Sequence, residues 1–304
     1  MRNGHLCQVF GRHITLYALH ITQEVKLFRQ ITIVGLGLIG GSLGMALRRR
    51  RLARTVVGVS RHPASLRRAK RLGALDRGTP DLARAAAGAD VVVLATPVDA
   101  IAPFGRRAAR SMRPGSVLTD VGSTKAAIVR ALERGLPRGV HFVGAHPIAG
   151  SERRGIEAAD AQLFDGAVCI LTPTARTDRR ALQAVRRLWA PLAGRVVTMS
   201  PDRHDRLLAQ LSHLPHLVAC SLVGAVTGSL PRSPQSFLDM TRIAQSDPDL
   251  WDDIFLSNRA NLLEAMDRFD ARWRALRRLL AGSRRLALRR TLARAQSRRH
   301  ALEG

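Results

Sequence analysis

Aromatic residues are scarce in this chain: they make up 4% of 304 residues, and only one is a tyrosine. That leaves few rings on which the bases of a single-stranded nucleic acid could stack. Cysteine is also rare. Cys7, Cys169 and Cys220 lie far apart and form no CxxC, which argues against a disulfide scaffold and against a cysteine-based zinc site. A reducing, cytoplasmic setting fits this usage. Long apolar runs are missing as well. None reaches, uninterrupted, the ~18 residues that a membrane span needs, and the longest is broken by the glycines of 35–44. The first thirty residues lack a long apolar core and a clear cleavage site, so no secretory signal is expected.

Acidic residues are few: 23 against 49 basic ones, for a net charge of +26. That balance suits a nucleic-acid binder. Yet Lys26, Lys70 and Lys125 are the only lysines, and the arginines run along the whole chain with some concentration after Arg272. So one-sided a choice reads as compositional drift joined to an anionic ligand. Neither a nucleic acid nor a membrane is expected as a partner. At 46% apolar residues the chain has enough material for one large core or two ordinary ones.

Short β-branched runs alternate with helical stretches over the first two thirds. "ITIV" (31–34) precedes "GLGLIGGSLG" and "MALRRRR", a strand, a glycine turn and a helix. "TVVGVS" (55–60), "DVVVLATP" (90–97), "SVLTDVGSTK" (116–125), "HFVGAHPIAG" (141–150), "AVCILTP" (167–173) and "RVVTMS" (195–200) supply further strands. "SLRRAKRLGA" (65–74) and "DRRALQAVRRLWAPL" supply helices. The alternation predicts an α/β fold with an open, doubly wound, mostly parallel sheet. After Pro201 the spacing of apolar residues is helical throughout, with a break at Gly282. The expected division is an N-terminal extension over 1–29, loosely ordered, a dinucleotide-binding domain over 30–200, and an all-α domain over 201–304.

Gly35, Gly37 and Gly40 form GxGxxG between a strand and a helix. The first glycine permits the tight turn, the second lets backbone approach a pyrophosphate, and the third lets helix and strand pack closely. The helix start then receives the phosphates. Gly35, Gly37, Leu38, Ile39 and Gly40 are therefore expected cofactor contacts, joined by Thr96 and Pro97 at the end of the run 90–97. An acidic residue ending the second strand would grip the ribose 2′-hydroxyl of NAD. Ser60 and Arg61 stand there instead, followed by His62, and a hydroxyl and a guanidinium suit the 2′-phosphate of NADP. In so arginine-rich a chain, a merely solvated Arg61 is the serious competitor.

His146 follows "HFVGA" and is expected in a loop at the carboxyl edge of the sheet, where such folds bind ligands. Ser123 follows "VLTDVG" and would reach the same edge, where a hydroxyl can orient an imidazole or share a substrate hydroxyl. In "SHLPH", His213 and His216 lie three apart on one helix face. No third clustered ligand supports a metal, so a polar lining for an anionic ligand is the better reading. "DMTRIAQSDPDLW" adds Asp239, Arg242 and Trp251, and an arginine can hold a carboxylate with two hydrogen bonds.

Together "GLGLIGGSLG", "TDVGSTK", "GAHPIAGSERRG", "DRHDRLLAQLSHLPH" and "TRIAQSDPDLWDDIFLSN" run in order from about residue 31 to 280. The chain resembles the prephenate, or cyclohexadienyl, dehydrogenase family of tyrosine biosynthesis. The resemblance implies a Rossmann domain followed by a helical dimerisation domain, a homodimer, and an active site in the cleft between the two domains. It implies NAD(P)-dependent oxidation of prephenate to 4-hydroxyphenylpyruvate with loss of carbon dioxide, with arogenate as a possible second substrate. In that reading His146 accepts the proton of the ring hydroxyl, and Ser123 hydrogen-bonds that hydroxyl or His146. Arg242 clamps a substrate carboxylate within an ion-pair network shaped by Asp239 and Glu152. Ser212, His213 and His216 line the substrate side, and Trp251 walls the cleft. The competing readings are an arogenate-specific dehydrogenase, which the histidine at 216 speaks against, and a non-catalytic NADP sensor, which His146, Ser123 and Arg242 speak against. The resemblance includes no recognisable regulatory domain after the helical one, which leaves feedback control through such a domain open.

Overall fold

The computed structural model describes residues 28–228 and 233–301. The expected extension over 1–29 lies outside the described residues except for Phe28 and Arg29, which already belong to the first strand. Strands β1 (Phe28–Val34), β2 (Ala53–Val59), β3 (Arg77–Thr79), β4 (Val91–Leu94), β5 (Val117–Asp120), β6 (His141–Ile148), β7 (Val168–Thr172) and β8 (Arg195–Thr198) form one sheet in the order β3-β2-β1-β4-β5-β6-β7-β8. The first six are parallel, β7 turns back against β6, and β8 is parallel to β7. Helices α1 (Leu38–Arg49), α2 (Pro63–Arg71), α3 (Leu82–Ala87), α4 (Val98–Ala109), α5 (Ala126–Glu133) and α6 (Arg179–Trp189) connect the strands.

The sheet is covered on both faces, which is why its central strands read as unbroken apolar runs. In β4, Val91 and Val93 join one core with Ile31, Ile33, Leu43, Leu47 and Trp189. Val92 and Leu94 point the other way, into a second core with Ile101, Leu118 and Leu132. The strand order reverses between β1 and β4, so the crevice opens at their carboxyl ends.

Beyond β8 the chain is helical: α7 (Pro201–Leu208), a π-helical turn (Ala209–His213), α8 (Leu214–Gly224), α9 (Gln235–Thr241), α10 (Pro248–Ser257), α11 (Arg259–Ala281) and α12 (Arg285–His300). The long helix expected after residue 249 is interrupted at Asn258 as well as at Gly282. Few apolar side chains are covered in this part. Leu211, Met240, Leu256, Trp273, Leu280 and Leu286 are exposed, and α11 buries only Leu262 and Ala265. The stretch Pro201–Gly224 is long and apolar enough to cross a membrane by length and composition alone. It also carries His204 and Asp205, both buried within the protein's polar centre.

Close packing of α1 against the turn between α2 and β3 rests on glycine. A Cβ at Gly44 would lie 2.2 Å from the carbonyl oxygen of Ala74, a backbone atom with no room to yield. Alanine improves helix propensity by up to about 1 kcal/mol over glycine, but overpacking costs about 1–3 kcal/mol, and the rigid neighbour puts this site at the upper end. Gly44→Ala should therefore lower stability by about 1–2 kcal/mol. A urea unfolding curve with an unmoved or raised midpoint would show that α1 can shift freely.

Candidate active site

At the switch point β1 ends in Gly35, whose φ of +97° favours glycine; a Cβ there would sit 2.4 Å from the carbonyl oxygen of Ala95. Gly40 faces back onto the Gly35 carbonyl at 2.0 Å from a would-be Cβ, which closes the turn. Nothing lies within 4 Å of a Cβ at Gly37. Gly37 is also the N-cap of α1 and offers no side-chain cap, so the first-turn amides are free to meet an anion. Leu38 and Ile39 form that first turn. Across the crevice, the Thr96 hydroxyl is buried without a hydrogen-bond partner among the described residues, and Pro97 is the N-cap residue of α4. An open glycine cradle, uncapped amides and an orphaned hydroxyl fit a dinucleotide pyrophosphate. At the end of β2, Ser60 Oγ accepts the amide hydrogen of His62 (3.2 Å), and exposed Arg61 donates from Nε to His62 Nε2 (3.2 Å).

A buried polar cluster lies at the carboxyl ends of β5 and β6. Lys125 Nζ is ion-paired to Asp120 and donates to the Ala145 carbonyl (2.9 Å), with both charged side chains fully enclosed. Asp120 also accepts from the amides of Gly122 (2.9 Å) and Ala145 (3.2 Å). Burial lowers the Lys125 ammonium from its ordinary pKa, against the pull of Asp120. From α7, the Asp205 carboxylate accepts the amides of Lys125 (2.7 Å) and Ala126 (2.9 Å), so it caps α5 from another element. Burial pushes Asp205 up, but the hydrogen bonds from His204 and those two amides win, and its pKa is below the usual value.

His146 joins this cluster through one nitrogen. Its Nδ1 lies 2.8 Å from His204 Nε2, and His204 Nδ1 lies 2.8 Å from Asp205 Oδ1. The rings are tilted by 59° at 5.1 Å between centroids, the geometry of an edge hydrogen bond rather than a stack. Burial first, then the positive fields of His204, Lys125 and His213, hold the His146 pKa well below the ordinary 6.5. The expected loop position of His146 is corrected: it lies inside β6, opposite Ile170 of β7. The pairing of β6 with β5 ends at Val143, and β6 then runs on with β7 alone, so His146 still reaches the carboxyl edge. Of the two partners expected for Ser123, the substrate hydroxyl or His146, the second is not engaged in this structure. Ser123 sits half-buried in the turn before α5 and forms no hydrogen bond among the described residues, whereas His146 Nδ1 is taken by His204.

On the helical side, His213 is buried, 3.2 Å from Asn258 Nδ2, and Ser212 is half-buried in the same π-helical turn. Burial lowers the His213 pKa to about 4. A π turn, a frequent device at functional sites, ends at His213, and from there the chain is α-helical, so His213 and His216 keep a common face and both rings meet Trp251, at 6.2 and 3.7 Å between centroids. His216 stacks on Trp251 with centroids 3.7 Å apart, and its buried Nδ1 has no partner among the described residues. Arg242 pairs with Glu152 at 2.7 Å. Asp239 is not part of that pair: exposed on α9, it accepts from Gln235 (2.8 Å). The loop after β6 gains instead a second ion pair, Arg154 with Asp247 (2.7 Å). His204, Asp205, Asp120 and Lys125 were not among the residues singled out from the sequence. One signal could have found Lys125, the lone lysine in a long arginine-rich region.

Family comparison agrees with this geometry over nearly all of the described chain. Residues 43–198 match the prephenate dehydrogenase nucleotide-binding domain, and residues 200–294 match the prephenate dehydrogenase dimerization domain. A cyclohexadienyl dehydrogenase of Zymomonas mobilis is 36% identical over 265 residues, covering 84% of this chain and 90% of that protein. A prephenate dehydrogenase of Bacillus subtilis is 36% identical, covering 79% of this chain and 66% of its own length. The crystal structure of prephenate dehydrogenase from A. aeolicus, in complex with hydroxyphenyl propionate and NAD+, superposes with a TM-score of 0.83 at 35% identity, over 90% of this chain and 98% of that one. Synechocystis arogenate dehydrogenase gives 0.77 at 30% identity, over 90% and 99%. With both of its halves matched and a histidine poised at the edge of a dinucleotide crevice, the chain belongs to the prephenate dehydrogenase family.

Proposed function

We propose that the protein oxidises prephenate to 4-hydroxyphenylpyruvate and carbon dioxide, with His146 as the general base. The observation that carries this reading is the division of labour on one ring: Nδ1 is held by His204, and Nε2 forms no hydrogen bond among the described residues. A neutral imidazole at this edge can take the proton of the substrate's ring hydroxyl at Nε2. Loss of that proton drives carbonyl formation as hydride leaves the same carbon. The ring carboxylate then departs as carbon dioxide and the ring becomes aromatic. The nicotinamide, when bound, supplies the hydride acceptor.

Arg242, half-engaged by Glu152, has further guanidinium donors for a substrate carboxylate. His216, stacked on Trp251 with an unpaired buried nitrogen, offers a polar contact to the substrate side chain. That contact favours prephenate or dual use over an arogenate-specific enzyme. Assays of NAD(P)H formation with prephenate and arogenate side by side test the choice.

If His146 is the base, His146→Asn should lower kcat by roughly 100-fold or more and leave cofactor affinity nearly unchanged. Near-normal turnover would remove His146 from the mechanism. The group must be deprotonated to act and its pKa is depressed, so the acid limb of the kcat/KM profile should fall below the ordinary histidine value of 6.5.

The cofactor is NAD(P), with NADP preferred. Ser60 and Arg61 end β2 with no carboxylate to repel a 2′-phosphate. A partly exposed charged contact is worth about 1 kcal/mol, which sets a preference of about tenfold. Arg61→Ala should weaken NADP and spare NAD; a wild type that already prefers NAD would put Arg61 in solvent.

Assembly follows from the uncovered apolar side chains of the helical part, among them Leu256, Trp273 and Leu280. So many large apolar groups suit burial between two copies as a homodimer. Light scattering at micromolar concentration should give twice the chain mass, and a monomer would contradict the reading.

A further inference from the structure

We propose that His204 is a positioning residue that fixes His146 as the tautomer bearing its proton on Nδ1, so that Nε2 is the basic nitrogen, and that Asp205 in turn fixes His204. The inference rests on His146 being the base and deepens that reading.

The direction of each hydrogen bond follows from the one before it. Asp205 accepts two backbone amides, from Lys125 and Ala126, and both its oxygens are used. Such a carboxylate stays ionised and has only acceptor capacity. His204 Nδ1, at 2.8 Å from Asp205 Oδ1, must therefore carry a hydrogen and donate it. His204 is fully buried, and burial lowers its pKa even against the opposing pull of Asp205, so the ring is neutral near pH 7. A neutral imidazole that donates from Nδ1 has a lone pair at Nε2. That lone pair faces His146 Nδ1 at 2.8 Å, so His146 must donate from Nδ1 and keep its own lone pair on Nε2. Without such an acceptor, nothing in the cluster would keep the proton on Nδ1.

The same chain accommodates the charge that forms when His146 takes up a proton. An imidazolium donates a stronger hydrogen bond than a neutral ring, and His204 receives it while remaining anchored to Asp205. Lys125, in the turn before α5, opposes that charge, whereas His213, in the π-helical turn, is neutral with its pKa at about 4; Asp205 and Asp120 favour positive charge at His204. Protonating His204 itself would reverse the bond. Its Nε2 would then donate to His146 Nδ1 and move the His146 proton to Nε2, which leaves no base.

Asp205 variants cannot isolate this role, because the carboxylate also caps α5. The test uses the dimer-competent full-length protein labelled with 15N-histidine, with the His146 signals assigned by their loss in His146→Asn. In the wild type at neutral pH, Nδ1 should be the protonated ring nitrogen of His146 and Nε2 the bare one. His204→Leu should mix the two tautomers and lower kcat on the order of tenfold to hundredfold, the usual range for a partner that orients a functional histidine. Its KM and cofactor affinity should change little. His204→Gln, whose amide oxygen can replace the acceptor, should recover part of kcat and of the tautomer. A wild-type His146 protonated on Nε2 overturns the inference, and does so even if His204→Leu fails to fold. So does a glutamine variant no better than the leucine one. Normal turnover in His146→Asn with the tautomer as assigned would instead sink the base and leave the positioning chain standing.

Discussion

The Asp205 carboxylate is the point at which the two halves of this protein are joined. It is presented by α7, the first helix after the sheet, and it binds the two amides that open α5, a helix of the sheet domain. Lys125, the N-cap residue of α5, provides no side-chain cap, because an ammonium has donors only and cannot accept an amide hydrogen; its donors go to Asp120 and Ala145. Asp205 fills that vacancy from outside. Asn258, between α10 and α11, donates to the Asp205 carbonyl (2.8 Å) and also meets His213. Ser257 reaches Thr124 beside Lys125 (3.1 Å). The helical region is thus held to the sheet by a network of polar bonds at the proposed active site. Displacing α7 would uncap α5 and release His204 in one movement.

Below that junction sits the buried Lys125–Asp120 pair. A buried ion pair seldom stabilises more than well-packed apolar side chains would, yet removing one partner costs about 3–5 kcal/mol because the other charge is stranded. The pair here is embedded rather than merely tolerated. Asp120 receives two amides and Lys125 a carbonyl, so the ends of β5 and β6 are locked to each other just past their last strand pairing at Thr119 and Val143. That lock holds the free overhang of β6, and with it the placement of His146.

The sheet was legible because its strands are apolar on both faces and separated by helices, and the glycine turn because GxGxxG falls between a strand and a helix. The three-residue β3 has too little pattern to be read, and nothing in "AVCILTP" distinguishes a strand running backward from one running forward. His146 read as a loop residue because Pro147 lacks the N–H that a ladder needs. Proline is accommodated there because β5 has already ended beside β6. The partners of His146 escaped notice for a different reason. His204 and Asp205 are adjacent on α7, a spacing from which no side-chain pair is expected, yet they are hydrogen-bonded at 2.8 Å, and their further partners lie on β6 and α5. Asp239 and Arg242 lie three apart, a spacing that suggests a local pair, but Arg242 turns to Glu152 on the loop after β6.

With His146 as the proposed base, burial acts on it in two opposite senses, and the proposal requires that both be met. Enclosure lowers its pKa, so the ring is neutral and ready to accept a proton at any pH near 7. The same enclosure makes the imidazolium costly at the moment the proton arrives. Direct contact with a carboxylate would relieve that cost but would also raise the pKa toward a ring already protonated at rest. Placing His204 between the two separates these effects. The Asp205 charge acts through a neutral ring, close enough to orient the donor and receive a strengthened bond, yet not in contact with the base. The carboxylate stays available for its structural work on α5, and the proposed base keeps an Nε2 that forms no hydrogen bond among the described residues.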